Sequence, residues 1–131
     1  MKGFAIKIRH DGKIDVVEFT KKQNNLKFLQ DAVDGLIECV TVRIGNAIVD
    51  MWVNEEGLLS SLPINKLATQ IHELRVGNEH ACIVGNVILT GGCDPRGYTM
   101  PLTLRETADI LQWIMEADGR NFENQHFILE A

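Results

Sequence analysis

No stretch of this sequence stays apolar for the roughly 20 residues that a bilayer-crossing helix needs, so a membrane-spanning protein is not expected. Cysteine is scarce and lacks a pairing pattern. Cys39, Cys82 and Cys93 have no CxxC spacing, and Lys7 and Arg9 interrupt the apolar start at residues 4–6 before it can serve as a secretory leader. Reduced thiols in a cytoplasmic protein are the simplest expectation. Also missing are a Walker or dinucleotide glycine loop and a GxSxG elbow, so the familiar nucleotide-handling and hydrolase classes have no support. The His and Cys residues lack zinc spacing: one residue separates His80 from Cys82, Cys93 adjoins Asp94, and His72-Glu73 has no second His one turn away. No metal, cofactor or catalytic residue is expected. Cys39 and Cys82 sit inside apolar runs, where a thiol is expected to be inert.

Positive charge is in deficit overall. The formal net charge is −5, which disfavours a phosphate backbone, and no basic stretch is interleaved with aromatics, which make up only 6% of residues. A nucleic-acid partner is therefore not expected. The deficit is uneven, because residues 2–27 carry seven Lys or Arg against three Asp or Glu. Such asymmetry suits either an ordinary solvated surface or a homo-oligomer that sets basic against acidic parts.

What is present describes one folded unit. A chain of 131 residues with 45% hydrophobic and 24% charged residues has the composition of a globular domain, and no linker or repeat divides it, so residues 1–131 are read as a single domain. Residues 4–8 and 14–19 are strand-like runs around Asp11-Gly12, which predicts a β-hairpin. From Asn24 or Asn25, the spacing of Leu26, Leu29 and Val33 predicts a helix that Gly35 stops. Residues 36–44 and 47–53 form a second predicted hairpin around Gly45-Asn46. Pro63 and Asn65 precede a helix at residues 66–74 whose face carries Leu67, Ile71 and Leu74.

Residues 81–90 are apolar at nearly every position, which predicts a central strand buried on both sides, with Gly85 at a bulge or close backbone approach. After the loop at 91–98, Thr103 and Glu106 have capping-box spacing, and Leu104, Ala108, Leu111 and Met115, flanked by Ile110 and Ile114, predict a helix ending near Gly119. Residues 127–129 are either an edge strand or a packed tail. The fold class is therefore α+β: a small mixed or antiparallel sheet of about five strands, two hairpins plus a central strand, packed with two to three helices.

Two segments have binding chemistry. The loop after the central strand offers free glycine amides, a guanidinium at Arg96 to grip an anion, and a ring at Tyr98 to stack on a planar group. Glu55 and Glu56 form an acidic turn after Asn54, with Asn65 following. Asn54 and Gly57 also suit turn positions of unusual φ, Pro63 a helix entrance and Asn65 a cap, all purely structural uses.

The runs Leu36-Ile37-Glu38, Val53-Asn54-Glu55-Glu56-Gly57, Leu62-Pro63-x-Asn65-x-x-Ala68 and Ile83-Val84-Gly85-Asn86-Val87-Ile88, taken together, resemble a family of small domains of unknown function found in bacteriophages, plasmids and conjugative elements. The likeness covers residues 1–92 or so and rests on the N-E-E-G turn combined with the L-P-x-N segment. It implies a mobile-element context and carries over no catalytic residue. The expected function is a non-catalytic accessory protein that binds a small anionic or nucleotide-like ligand through Asn54, Glu55, Glu56, Asn65, Arg96 and Tyr98. The alternative is an acidic interaction module that blocks a host protein.

Overall fold

The alternation of apolar residues near the N-terminus produces two strands, β1 (Phe4–Ile8) and β2 (Ile14–Glu18), in the computed structural model, which describes residues 3–20, 25–76 and 82–119. They pair antiparallel from Phe4↔Glu18 to Ile8↔Ile14. Their connection is a three-residue loop closed by the Arg9 amide donating to the Lys13 carbonyl (2.9 Å), with Gly12 at φ 91°, a conformation that costs a glycine little. Helix α1 (Asn25–Val33) follows. Its left-handed terminal residue is Asp34 (φ 63°), not Gly35; the Gly35 amide donates to the Gln30 carbonyl at 3.1 Å, closing a Schellman-type end. The sheet-facing stripe of α1 is Leu29, Ala32 and Val33, so it begins one turn later than the spacing predicts and leaves Leu26 57% exposed.

Strands β3 (Ile37–Ile44) and β4 (Ala47–Asn54) form the second hairpin around Gly45 at φ 60°, the two-residue turn geometry that matches strand twist. Helix α2 (Lys66–Val76) buries Leu67, Ala68 and Ile71; the side chain of Leu74 lies outside the described residues. Strand β5 is Val87–Thr90 only. The apolar run predicted as one strand from residue 81 bends at Gly85 (φ 77°), and Val84 instead bridges Ile64. The five strands lie antiparallel in the order β2-β1-β5-β4-β3, so the fold is α+β with a five-stranded antiparallel sheet.

Side-chain alternation then sorts the core into two layers. On one face Ile6, Ile8, Val49, Met51 and Leu89 pack against Leu67 and Ile71 of α2 and Ile110 and Ile114 of α3 (Leu104–Asp118). On the other, Ala5, Phe19 and Ile88 pack against Leu29, Ala32 and Val33 of α1. β5 faces both layers and is buried at all four positions, which explains its apolar residues at 87–89; Thr90, also buried, accepts from Trp52 Nε1 and donates to the Gly91 carbonyl (both 2.9 Å).

The capping box at α3 forms as the spacing predicts: the Glu106 amide donates to Thr103 Oγ1 (3.0 Å) and the Thr103 amide to Glu106 Oε1 (2.9 Å), while Gly119 ends the helix at φ 63°. Thr103→Ala is expected to lower stability by about 1 kcal/mol in urea unfolding. No change would mean that other contacts at the helix start hold it without the cap. The buried stripe of α3 is Thr107, Ile110 and Ile114, whereas Leu104 is 69% exposed and Met115 is also exposed. The fully buried face is thus narrower than the sequence suggests, with Leu111 and Trp113 only partly buried at its flanks. Among the described residues no helix is long and apolar enough to cross a membrane. Residues 127–129 lie outside the described residues.

Candidate functional site

The strand register decides which of the sequence-derived candidates can meet. Trp52 pairs with Ile88 and Asp50 with Thr90, so Asn54 emerges at the Gly85 end of β5 and the loop carrying Arg96 at the Thr90 end. Asn65 joins the first end, because its side chain reaches the Gly85 carbonyl. Asn54, Glu55, Glu56 and Asn65 therefore sit at one end of the central strand, and Arg96 and Tyr98 at the other. A single ligand held between the acidic turn and the Arg96 loop is not what this register favours.

The two asparagines are occupied by backbone. Asn54 Nδ2 donates to the Val33 carbonyl (3.1 Å) and closes the C-terminal end of α1, while Oδ1 accepts from the Glu56 amide (2.8 Å). Asn65 is buried; its Nδ2 donates to the carbonyls of Ile8 and Gly85 (both 2.9 Å) and its Oδ1 accepts from the Ala68 amide (3.1 Å). Gly57 is present for close approach and not for φ, since a Cβ there would lie 2.6 Å from Val84 Cγ2. Glu55 and Glu56 are exposed. The Arg96 loop is held by Asp94, whose Oδ1 accepts from the amides of Arg96 and Tyr98 (both 2.9 Å), and both of those side chains are exposed.

A concavity with binding chemistry lies elsewhere among the described residues. On the α1 face, a cleft of about 370 Å³ runs between α1 and the β1–β2 hairpin, lined by Lys7 and Arg9, Asp15 and Val17, Ile88, and Phe28, Asp31 and Ala32 of α1. Lys7 and Asp15 are direct cross-strand partners, yet the carboxylate is taken by the next cation along: Arg9 Nε donates to Asp15 Oδ2 at 2.8 Å. Asp31 pairs with Lys27 on the helix surface (3.3 Å). Lys7 has no side-chain partner among the described residues, so its ammonium is the cation of the cleft left over for something else. Phe28 forms the helix wall and is held by stacking on Phe19, with centroids 4.7 Å apart and planes at 27°. The arrangement offers a free positive charge, the outer edge of a guanidinium and an apolar wall of ligand-sized extent.

Sequence reasoning passed over this site, although its signal was there. Lys7 and Arg9 alternate with Ile6 and Ile8 along β1, which places both cations on the opposite side from those isoleucines, and Asp15 alternates likewise with Ile14 and Val16.

The thiols need one correction. Cys39, Cys82 and Cys93 are free and exposed, so the apolar runs around them do not bury them. Cys39 is inert for another reason: partial desolvation, reinforced by the neighbouring Asp50 carboxylate, pushes its thiol up to about 12. Among the described residues, no group of three or more His, Cys, Asp or Glu is placed to hold a metal ion.

A family model described as "Domain of unknown function (DUF3846)" matches residues 1–114. That span runs past the motifs that first suggested a family, through the Arg96 loop and the capping box to Ile114 on the buried stripe of α3. No curated protein and no solved structure matches the chain.

Proposed function

The chain belongs to this family, DUF3846, and we propose that it serves as a non-catalytic accessory protein of a phage or mobile element that binds a small anionic or nucleotide-like ligand in the cytoplasm. The observation that carries the reading is the unpaired Lys7 ammonium in the α1-side cleft, beside the Phe28 ring and with its cross-strand carboxylate already satisfied by Arg9. An anion placed there gains a charge-assisted contact without first breaking an ion pair. The cleft volume lies near the lower end for ligand sites, which suits a single nucleotide or aromatic acid better than a dinucleotide.

Lys7→Gln is expected to weaken binding about 10- to 100-fold, the loss of one hydrogen bond to a charged group, and Lys7→Arg to retain most of it. Folding should be little affected, since the ammonium has no side-chain partner among the described residues. The measurement is isothermal titration of wild type and both variants against nucleoside monophosphates and aromatic carboxylates, together with mass spectrometry of molecules released from protein purified from its natural host. Equal affinities for all three proteins would remove Lys7 from the site.

One observation favours the second reading, a module that docks on a host protein. Leu58 and Leu59 are 73% and 88% exposed on the turn directly after Glu55 and Glu56, which sets an apolar tip beside two carboxylates. If that tip is the functional surface, Leu58→Ser/Leu59→Ser abolishes recovery of a stoichiometric host protein and Lys7→Gln does not.

A further inference from the structure

Among the described residues strand β3 closes one edge of the sheet, and the edge is long and regular. All eight of its residues pair with β4 in an unbroken register from Ile37↔Asn54 to Ile44↔Ala47, with no bulge and no proline. The opposite edge, β2, has only five residues. Sheets usually blunt such an edge with shortness, bulges, proline or clustered charge, and β3 carries only Glu38 and Arg43.

The hairpin fixes which backbone groups face outward. A two-residue turn closes on a hydrogen-bonded pair, here Ile44 with Ala47, and antiparallel ladders alternate from there, so Val42, Val40 and Glu38 also bond to β4. The Glu55 amide donating to the Leu36 carbonyl (2.8 Å) continues the same alternation. Ile37, Cys39, Thr41 and Arg43 therefore turn their amides and carbonyls away from the sheet, and the side chains of Cys39, Thr41 and Arg43 are exposed.

We propose that two copies of the chain join β3 edge to edge, antiparallel, about a two-fold axis through Val40, to make one continuous ten-stranded sheet. A two-fold axis perpendicular to the sheet keeps each face continuous and requires residues of the same parity to oppose each other. All four outward residues share that parity. With the axis at Val40, Ile37 opposes Arg43 of the second copy and Cys39 opposes its Thr41, so all four pair and about eight inter-chain hydrogen bonds form, two for each residue pair. Shifting the axis to Cys39 or Thr41 loses one residue pair. No like charges meet, because Glu38 opposes Val42 and Arg43 opposes Ile37. The edge is complementary to itself, which is the reason to assign a second copy as its occupant. The inference is independent of the ligand reading.

Light scattering of the full chain at micromolar concentration is expected to give about twice the 14.7 kDa chain mass. Thr41→Pro should be monomeric with an unchanged far-UV spectrum, since the amide it removes points away from β4. If the proline alters the spectrum, Thr41→Lys makes the same test by placing two ammoniums near the axis. The register is tested by disulfide trapping with the three native cysteines changed to Ser. Val40→Cys should oxidise to a covalent dimer, because residues on the axis approach to about 4.5 Å between Cα atoms. Thr41→Cys, displaced diagonally from its copy, should stay uncrosslinked. A monomeric wild type, a dimeric Thr41→Pro with native spectrum, or trapping at 41 and not at 40 would each overturn the proposal.

Discussion

Asn65→Ala is expected to destabilise the protein by about 3–4 kcal/mol, because a single buried side chain there satisfies three backbone groups from three parts of the chain. Its Nδ2 bonds the carbonyl ending β1 and that of Gly85, and its Oδ1 caps the start of α2. Truncation removes the Asn65 partner from the Gly85 carbonyl and the Ala68 amide and the second donor from the Ile8 carbonyl, which keeps its place in the β1–β5 ladder; each buried group left unsatisfied costs about 1–3 kcal/mol, with some relief from solvent entry. Asn65→Asp discriminates between lost contacts and lost volume. The carboxylate has nearly the same shape and can still accept from Ala68, but it offers no donor to the two carbonyls and sets a charge against them. It should be at least as damaging as Ala. Urea unfolding of both variants is the measurement, and an Asp variant close to wild type would show that the donor contacts contribute little.

Phe19→Ala is expected to cost about 3–5 kcal/mol, the range for emptying a fully buried aromatic site. Phe19 has no exposed surface and lies in the layer between the sheet and α1. Its ring also holds Phe28, the helix wall of the cleft, through a stacked contact that contributes about 0.5–1.5 kcal/mol beyond area. Any ligand affinity should therefore fall together with stability, unlike Lys7→Gln, which separates the two. Phe19→Leu should recover much of the stability by filling part of the space, without restoring the stacked ring. Equilibrium unfolding with parallel titration distinguishes these outcomes. A Leu variant with wild-type affinity would show that Phe28 keeps its place without the stack.

The sequence made the fold legible wherever a local signal acted alone. The β1–β2 loop, the Gly45-Asn46 turn and the Thr103/Glu106 capping box all depend on residues within a few positions of one another, and each forms as read. Boundaries and faces depended on tertiary context and shifted accordingly. The run at 81–90 is apolar at most positions because Val84 packs and bridges to Ile64 while residues 87–90 form the strand, two environments with the same hydrophobic demand. Apolar spacing on α3 over-counted the buried face for a similar reason, because Leu104 and Met115 share helical periodicity with a stripe whose width only the sheet beneath decides.

The candidate site was less legible. Asn54 and Asn65 attracted notice as polar residues in a motif, and the structure gives both of them backbone partners from 20 or more residues away, contacts with no trace in local sequence. Lys7 and Arg9 looked like surface charge because a strand covered on both faces is expected to be apolar on both. The exception lies where α1 leaves the β1–β2 side of the sheet open enough for a cleft.

The strand order has a consequence for how the protein is made. The two hairpins are complete by residue 54, yet they share no hydrogen-bonded edge, because β5 lies between β1 and β4. Phe4 also waits for Leu102, with which it exchanges backbone hydrogen bonds at 2.9 and 2.7 Å. During synthesis from the N-terminus, some 30 residues must follow the second hairpin before the strand that joins the halves exists, and nearly 50 before its flank is secured. Until then each hairpin presents an unpaired inner edge to its surroundings, the condition under which nascent chains most need protection from one another.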